Sequence, residues 1–274
     1  MSEIRSILLH LDATPGSVER LTLAHALADR HGARVTALFG VRPDPSQADF
    51  AYSASAALGA ADRAEAAHAR ERARLRALHK DRQGDGAWCE VVGDSLVHGF
   101  AAEAVYADLL VLGAPAGQDD SGAAPAGFIE SVMLQSGTPG IVVPSPHRQE
   151  TLGDRVVVAW NGSLPAARAL KAALPLLRLA SRVHVATWAR QAPAAPFSGL
   201  DVHSWLQRHG IASRLHLHEP TARVASDLVT LAGEERADLV VMGCYGHSRL
   251  REQVFGGVTR SMLAHLAVPV LMSH

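Results

Sequence analysis

The chain has few of the residues that mark several large classes of protein. Of its 274 residues only two are cysteines, Cys89 and Cys244, which is too few for a disulfide framework or a cysteine metal site and suits a reducing compartment. The formal net charge is −1 at pH 7, so the chain lacks the basic excess typical of proteins that bind nucleic acid or acidic membranes. Nucleic acid is therefore not expected as a partner.

Long apolar runs are also missing. No uninterrupted apolar stretch reaches the roughly 20 residues that a membrane-spanning helix needs, and residues 4–11 are too short for the apolar core of a signal peptide. Hydrophobic residues still make up 48% of the chain and charged residues 19%, which is enough apolar material to fill cores. We therefore expect a soluble, cytoplasmic protein with no membrane partner, and the length favours two domains.

The two halves of the chain resemble each other in sequence. Residues 107–113, ADLLVLG, correspond to residues 237–243, ADLVVMG, and the same offset of 130 aligns residues 138–143 with residues 268–273. An apolar strand also begins each half, and it runs into Asp12 in the first half and Asn161 in the second. The repeat predicts two tandem domains, residues 1–146 and residues 151–274, with a short linker between them.

Short apolar runs alternate with segments of helical period in both halves. Continuous apolar runs such as residues 239–242 are typical of parallel strands that are buried on both faces. The alternation predicts right-handed crossovers and an α/β fold, with two tandem doubly wound domains that each have an open, mainly parallel five-stranded sheet. In the second half the predicted strands are residues 155–160, 182–188, 213–218, 238–242 and 268–272.

A glycine-rich segment follows the fourth predicted strand of the second half. In an open α/β sheet, ligands bind beyond the carboxyl ends of the strands, which is where this segment begins. Gly243 and Gly246 allow a positive φ and a close backbone approach, while Gly256 and Gly257 precede a helix whose first amides and dipole favour an anion. Thr259 can add a hydroxyl. The segment is neither a GxxxxGK[ST] loop nor a GxGxxG loop, but its pattern indicates phosphate binding.

This segment resembles the nucleotide-binding loop of the universal stress proteins, in their tandem two-domain form. Gly243, Gly246 and Gly256 match the family's Gly-x2-Gly-x9-Gly spacing without adjustment. The resemblance implies a Rossmann-like fold of the adenine nucleotide alpha hydrolase type and a bound ATP, ADP or AMP, with Mg²⁺ allowed as a counterion. The residues that it implies for nucleotide contact are Ala159, Trp160, Asn161, Met242, Gly243, Gly246, His247, Gly256, Gly257, Val258 and Thr259.

Some positions depart from the family's pattern. Gly257 replaces the Ser or Thr that usually follows the third glycine, and Asn161 stands where an Asp is common. In the first half Ala116 and Ala126 replace two of the glycines, and the carboxylates of residues 119–120 would repel a phosphate. We therefore expect no nucleotide in the first half.

The resemblance also implies how the two halves meet. The family places its last strand at a dimer seam, so residues 141–143 and 270–272 are expected to pair inside this one chain. A homodimer and an unknown protein partner both stay open.

Three functions fit these observations. The leading one is a stress-response protein that uses nucleotide occupancy as a switch and is a weak ATPase at most, because neither a catalytic lysine nor evident metal ligands accompany the loop. The second is an enzyme that cleaves or transfers at the α-phosphate. The third is a nucleotide-free scaffold for protein contacts.

Two further features are candidate sites. His216 and His218 share one face of a predicted strand, but with no third ligand nearby in the sequence we interpret them as polar residues that face solvent. Asp12 is better suited to capping the turn or helix after the first strand than to acting as a general base. No catalytic residue and no metal ligand is assigned.

Overall fold

The computed structural model describes residues 3–41, 55–83, 87–92, 96–114, 124–125, 127–147, 152–244 and 257–274. The strands are β1 (Ser6–Leu11), β2 (Arg34–Val41), β3 (Trp88–Val92), β4 (Leu109–Gly113), β5 (Gly140–Val143), β6 (Arg155–Ala159), β7 (Arg182–Trp188), β8 (Arg214–His218), β9 (Leu239–Gly243) and β10 (Val270–Ser273). The helices of these ranges are α1 (Gly16–His31), α2 (Ser55–Gln83), α3 (Leu96–Ala104), α4 (Phe128–Ser136), α5 (Leu164–Leu177), α6 (Val202–Arg208), α7 (Val224–Glu234) and α8 (Val258–Ala264).

The ten strands form one continuous sheet in the order β3-β2-β1-β4-β5-β10-β9-β6-β7-β8. Each half supplies five adjacent strands, and all strand pairs within a half are parallel. The two halves meet where β5 and β10 pair antiparallel, with Ile141 opposite Leu271 and Val142 opposite Val270. The predicted pairing of the last strands is therefore confirmed.

Helices cover both faces of the sheet, as continuous apolar strands require. One face carries α1, α2, α5 and α6, which pack on alternate strand residues such as Val156 and Val158. The other face carries α3, α4, α7 and α8, which pack on the intervening residues such as Val157. The structure confirms the predicted α/β fold with doubly wound, mainly parallel five-stranded halves. Among the described helices, none is both long enough and apolar enough to cross a membrane.

Candidate functional site

In each half, two neighbouring central strands are followed by helices that lie on opposite faces of the sheet. In the second half β6 and β9 are neighbours; β6 leads into α5 on one face, and β9 leads towards α8 on the other. Their carboxyl ends thus flank a gap between diverging crossovers, the usual ligand position in an open α/β sheet. Gly243 ends β9 and Gly257 is the N-cap of α8, while Gly246, His247 and Gly256 lie outside the described residues.

Gly243 is held in a tight contact with α5. A Cβ at this position would lie 2.6 Å from the carbonyl carbon of Pro165 and would also overlap the backbone nitrogen of Ala166. Gly243 does not have a positive φ, so the expectation of a left-handed turn at this residue is wrong. The absence of a side chain is required because the first turn of α5 packs directly on the end of β9.

The predicted residues at the end of β6 point to opposite faces of the sheet. Ala159 packs with Met242 on the α7 and α8 face, whereas Trp160 packs on the α5 and α6 face. The indole of Trp160 lines a cavity of about 340 Å³ together with Trp205, and its Nε1 is buried with no hydrogen-bond partner among the described residues. Because successive side chains alternate along a strand, Ala159 and Trp160 do not line the same surface.

The backbone and side chain of the next residues organise the turn into α5. The amide of Trp160 donates to Ala186 at 2.8 Å, and its carbonyl accepts from the hydroxyl of Thr187 at 2.9 Å. Asn161 is exposed, and in the described part of the chain its carboxamide makes one hydrogen bond, accepted by Oδ1 from the amide of Ser163 at 3.0 Å. The side chain of Asn161 is therefore accessible at the carboxyl end of β6.

The start of α8 lies on the opposite face from α5. Gly257 has an extended conformation, with φ −43° and ψ 154°, and provides no side-chain cap for the helix. Val258 is exposed, whereas Thr259 is buried among the residues under α8. The hydroxyl of Thr259 therefore does not lie on the open surface.

The equivalent space in the first half is filled by a side chain. Arg20 is 3% exposed; its Nη2 lies 2.6 Å from Oδ1 of Asp12, and its Nε donates to the carbonyl of His10. A Cβ on Gly113 would lie 2.8 Å from Cζ of Arg20. Arg20 is eight residues after Asp12, and the residue eight positions after Asn161 is Ala169. An arginine therefore occupies the first half where the second half has an alanine.

Asp12 is bonded within the protein through Oδ1. Its Oδ1 also accepts hydrogen bonds from the amide of Thr14 and from the hydroxyls of Thr14 and Ser17. Burial opposes ionisation of Asp12, but the Arg20 guanidinium and these hydrogen bonds outweigh it and hold the pKa of the carboxyl well below its usual range. Asp12 stabilises the turn after β1, as predicted, and its charge is neutralised internally.

Sequence reasoning missed a second cluster, far from the glycine loop. His216 does not face open solvent: its Nε2 lies 2.9 Å from Nδ1 of His184 and 3.9 Å from Oε1 of Glu235. The expectation that His216 is a solvent-facing strand residue is therefore wrong. His184 is buried on the adjacent strand β7, and Glu235 is the C-cap of α7. The parallel β7–β8 register pairs Ala186 with His216, so His184, two residues earlier on β7, lies on the same face and diagonal to His216. Without that register the sequence does not show that the two histidines meet.

Known proteins share this architecture and part of this sequence. The family model described as Universal stress protein family matches residues 153–274. The structure of a universal stress protein from Archaeoglobus fulgidus is 17% identical, covers 98% of this chain and 96% of that chain, and has a TM-score of 0.68. A functionally unknown protein from Pseudomonas aeruginosa is also 17% identical, covers 98% of this chain and 92% of that chain, and has a TM-score of 0.59.

No curated protein matches the chain. The structural likenesses, at this identity, establish that the fold is shared over the whole length. The family match covers β6 to β10 and therefore includes the complete glycine-rich segment. Residues 153–274 therefore match the universal stress protein family, and the whole chain shares its fold with solved proteins of that family.

Proposed function

We propose that the second half of the chain binds an adenine nucleotide, ATP foremost, at the carboxyl ends of β6 and β9. The observation that carries this proposal is the position of the Gly243-x2-Gly246-x9-Gly256 pattern, which begins where the crossovers of β6 and β9 diverge. Oriented backbone amides in such a loop and at a helix start provide positive charge for phosphates. The residues proposed to contact the nucleotide or to support the turns around it are Ala159, Trp160, Asn161, Met242, Gly243, Gly246, His247, Gly256, Gly257, Val258 and Thr259.

The contacts of the described residues divide these roles. Asn161 is exposed and has donor capacity left on its carboxamide, so it suits an adenine or ribose edge. Gly257 has no side chain over the first turn of α8, so it lets a phosphate approach the backbone. Trp160 packs under α5 on the other face of the sheet, and its role is to support the turn rather than to stack on the base.

The first half is proposed to bind no nucleotide. Arg20 fills the space against Gly113 and neutralises Asp12. A nucleotide would therefore find neither that space nor the Asp12 carboxylate free. The loop residues Ala116 and Ala126, on which this expectation first rested, lie outside the described residues.

Occupancy of the second half can act as a switch through the seam. The helix α8 has seven residues and leads into β10, which pairs antiparallel with β5 of the first half. A ligand that binds the residues before α8 and orders them biases the position of β10, and so reaches the other half of the sheet. A conformational effect of this kind needs no hydrolysis, and only a differential affinity for two states.

The proposal is tested by the ligand that leaves freshly purified protein on denaturation. Mass spectrometry is expected to find one adenine nucleotide per chain, with ATP turnover no faster than in a loop variant. Gly256→Val is the informative variant, with Ala126→Val at the equivalent place in the first half as the matched control. Nucleotide loss only in Gly256→Val supports the proposal, and equal nucleotide content in both variants defeats it. Steady ATP turnover above the Gly256→Val level would instead indicate an enzyme.

A further inference from the structure

Three potential metal ligands from separate elements lie close together towards the amino-terminal ends of the second-half strands. His184 lies on β7, His216 lies on the edge strand β8, and Glu235 caps the end of α7. One ring nitrogen of each histidine and one carboxylate oxygen all lie within 4.8 Å of one another. This is the only group of three or more such side chains with that spacing in the described part of the chain.

We propose that His184, His216 and Glu235 form a binding site for a divalent cation of the zinc class. Two imidazoles and one carboxylate are a common ligand set for Zn²⁺, with a fourth position left for water or another group. Zinc binds nitrogen at about 2.0–2.1 Å and carboxylate oxygen at about 2.0–2.2 Å, so the ligand atoms of a tetrahedral site stand roughly 3.3 Å apart. The separations of 3.5 Å from His184 to Glu235 and 3.9 Å from His216 to Glu235 need only small side-chain shifts to reach that value.

Within the cluster, the carboxylate of Glu235 makes no hydrogen bond to either histidine. Glu235 lies beyond hydrogen-bond distance of both rings, and its side chain is 23% exposed, so a cation could reach it from solvent. The two rings share one hydrogen bond, between Nδ1 of His184 and Nε2 of His216. Binding of a cation at His216 through Nε2 replaces that bond. Burial lowers the pKa of both histidines, which favours the neutral imidazoles that ligate metal.

A third histidine and three arginines surround the proposed cation site. His218 follows on the same strand face; its ring is parallel to that of His216 at 6.3 Å, and its Nε2 is buried without a hydrogen-bond partner among the described residues. Three positive charges act on His184 from nearby strand residues, namely those of Arg155, Arg182 and Arg214. These charges oppose a cation and predict that affinity falls less with added salt than for an acidic site.

The site is separate from the proposed nucleotide loop. Glu235 precedes β9, whereas Gly243 ends it, so the two sites lie at opposite ends of the strands. A bound cation would fasten the edge strand β8 to β7 and to the end of α7. Since the cation binds the folded chain through residues from three elements, it is expected to raise the thermal midpoint by about 5 °C at a 100-fold excess over Kd.

A zinc titration of the full chain without an affinity tag tests the site. Chelator-treated protein is titrated with Zn²⁺ by calorimetry, and thermal unfolding is followed with and without the metal. The variants are Glu235→Gln and His216→Gln. The matched control is His79→Gln, because His25 and His79 form another buried pair, with ring centroids also 5.1 Å apart, that has no carboxylate at metal-ligand spacing among the described residues.

The expected result is one Zn²⁺ per chain in the wild-type protein and in His79→Gln, with Kd at least about 10-fold higher in both Glu235→Gln and His216→Gln. Circular dichroism without metal verifies that each variant is folded, and bound Co²⁺ should give visible absorption bands that either variant abolishes. The proposal is overturned if the wild-type protein binds no Zn²⁺. It is equally overturned if the two site variants bind as well as His79→Gln.

Discussion

Arg20 and Asp12 form a buried ion pair, with Nη2 of Arg20 2.6 Å from Oδ1 of Asp12 and both side chains less than one-tenth exposed. The pair stands at the carboxyl end of β1, where the first half would otherwise offer the same gap as the second. Arg20 also donates to the hydroxyl of Ser17 at 2.7 Å, so the guanidinium is anchored on two sides. The internal cation gives a physical reason for the proposal that only the second half binds a nucleotide.

Removal of the guanidinium should destabilise the chain strongly. In Arg20→Met the Asp12 carboxylate stays buried without its counter-charge, and the expected loss of unfolding free energy is about 3–5 kcal/mol. The measurement is urea unfolding at pH 7. Arg74→Met is the control, because Arg74 pairs with Glu71 at the surface and such pairs contribute about 0–1 kcal/mol. Equal losses in the two variants would contradict the role assigned to Arg20.

The same pair predicts acid sensitivity. Because the folded-state pKa of Asp12 is held below its unfolded value of about 3.9, its contribution to stability is complete above that pH. The contribution is lost as the pH falls from there through the depressed folded-state pKa. The unfolding free energy of the wild-type protein should therefore fall more steeply below pH 4 than that of Asp12→Asn. Parallel pH profiles of the two proteins would show that the pKa of Asp12 is not depressed.

His10 predicts a second pH dependence in a different range. Burial between Phe100 and Phe128 lowers the pKa of His10 from 6.5 to about 4, and the nearby Asp12 carboxylate only partly offsets this effect. The unfolded chain takes up this proton first, so stability declines as the pH falls from about 6.5 to 4, by on the order of 3 kcal/mol. In His10→Leu that component should be missing, and NMR titration of the wild-type protein should show His10 still neutral at pH 5.5. A ring that titrates near 6.5 would refute the prediction.

Two glycines of the second half should respond in opposite ways to a methyl group. Gly243→Ala forces a Cβ against the backbone of Pro165 and Ala166, and such overpacking costs about 1–3 kcal/mol or more. Gly233→Ala lies within α7, where a Cβ meets no atom within 4 Å, and should stabilise the chain by about 0.5–1 kcal/mol. Thermal and urea unfolding of both variants measure the difference. A stable Gly243→Ala protein would mean that α5 does not pack on β9 as described.

Apolar periodicity and the repeat predicted most of the fold. The second-half strands predicted at residues 182–188 and 213–218 are observed as Arg182–Trp188 and Arg214–His218, because consecutive apolar or alternating residues are a local property of the chain. The β5–β10 seam was expected from the resemblance to the universal stress proteins, and the pairing of these strands confirms it.

Parts of the site could not be predicted because they depend on packing between distant elements. Nothing local to Gly243 reveals that α5 rests on it, and the conformational reason assigned to it from sequence was wrong. The ion pair of Arg20 and the contact of His184 with Glu235 depend on how crossovers lie on the sheet. The opposite orientation of Ala159 and Trp160, in contrast, was available from the two-residue period of a strand.

Calorimetric titration with ATP tests the central claim most directly, because it counts the sites in the two halves. The account predicts one site per chain in the wild-type protein and in Ala126→Val, and no binding in Gly256→Val, with all three proteins equally stable in urea. Two sites per chain, or binding that survives in folded Gly256→Val, would contradict it.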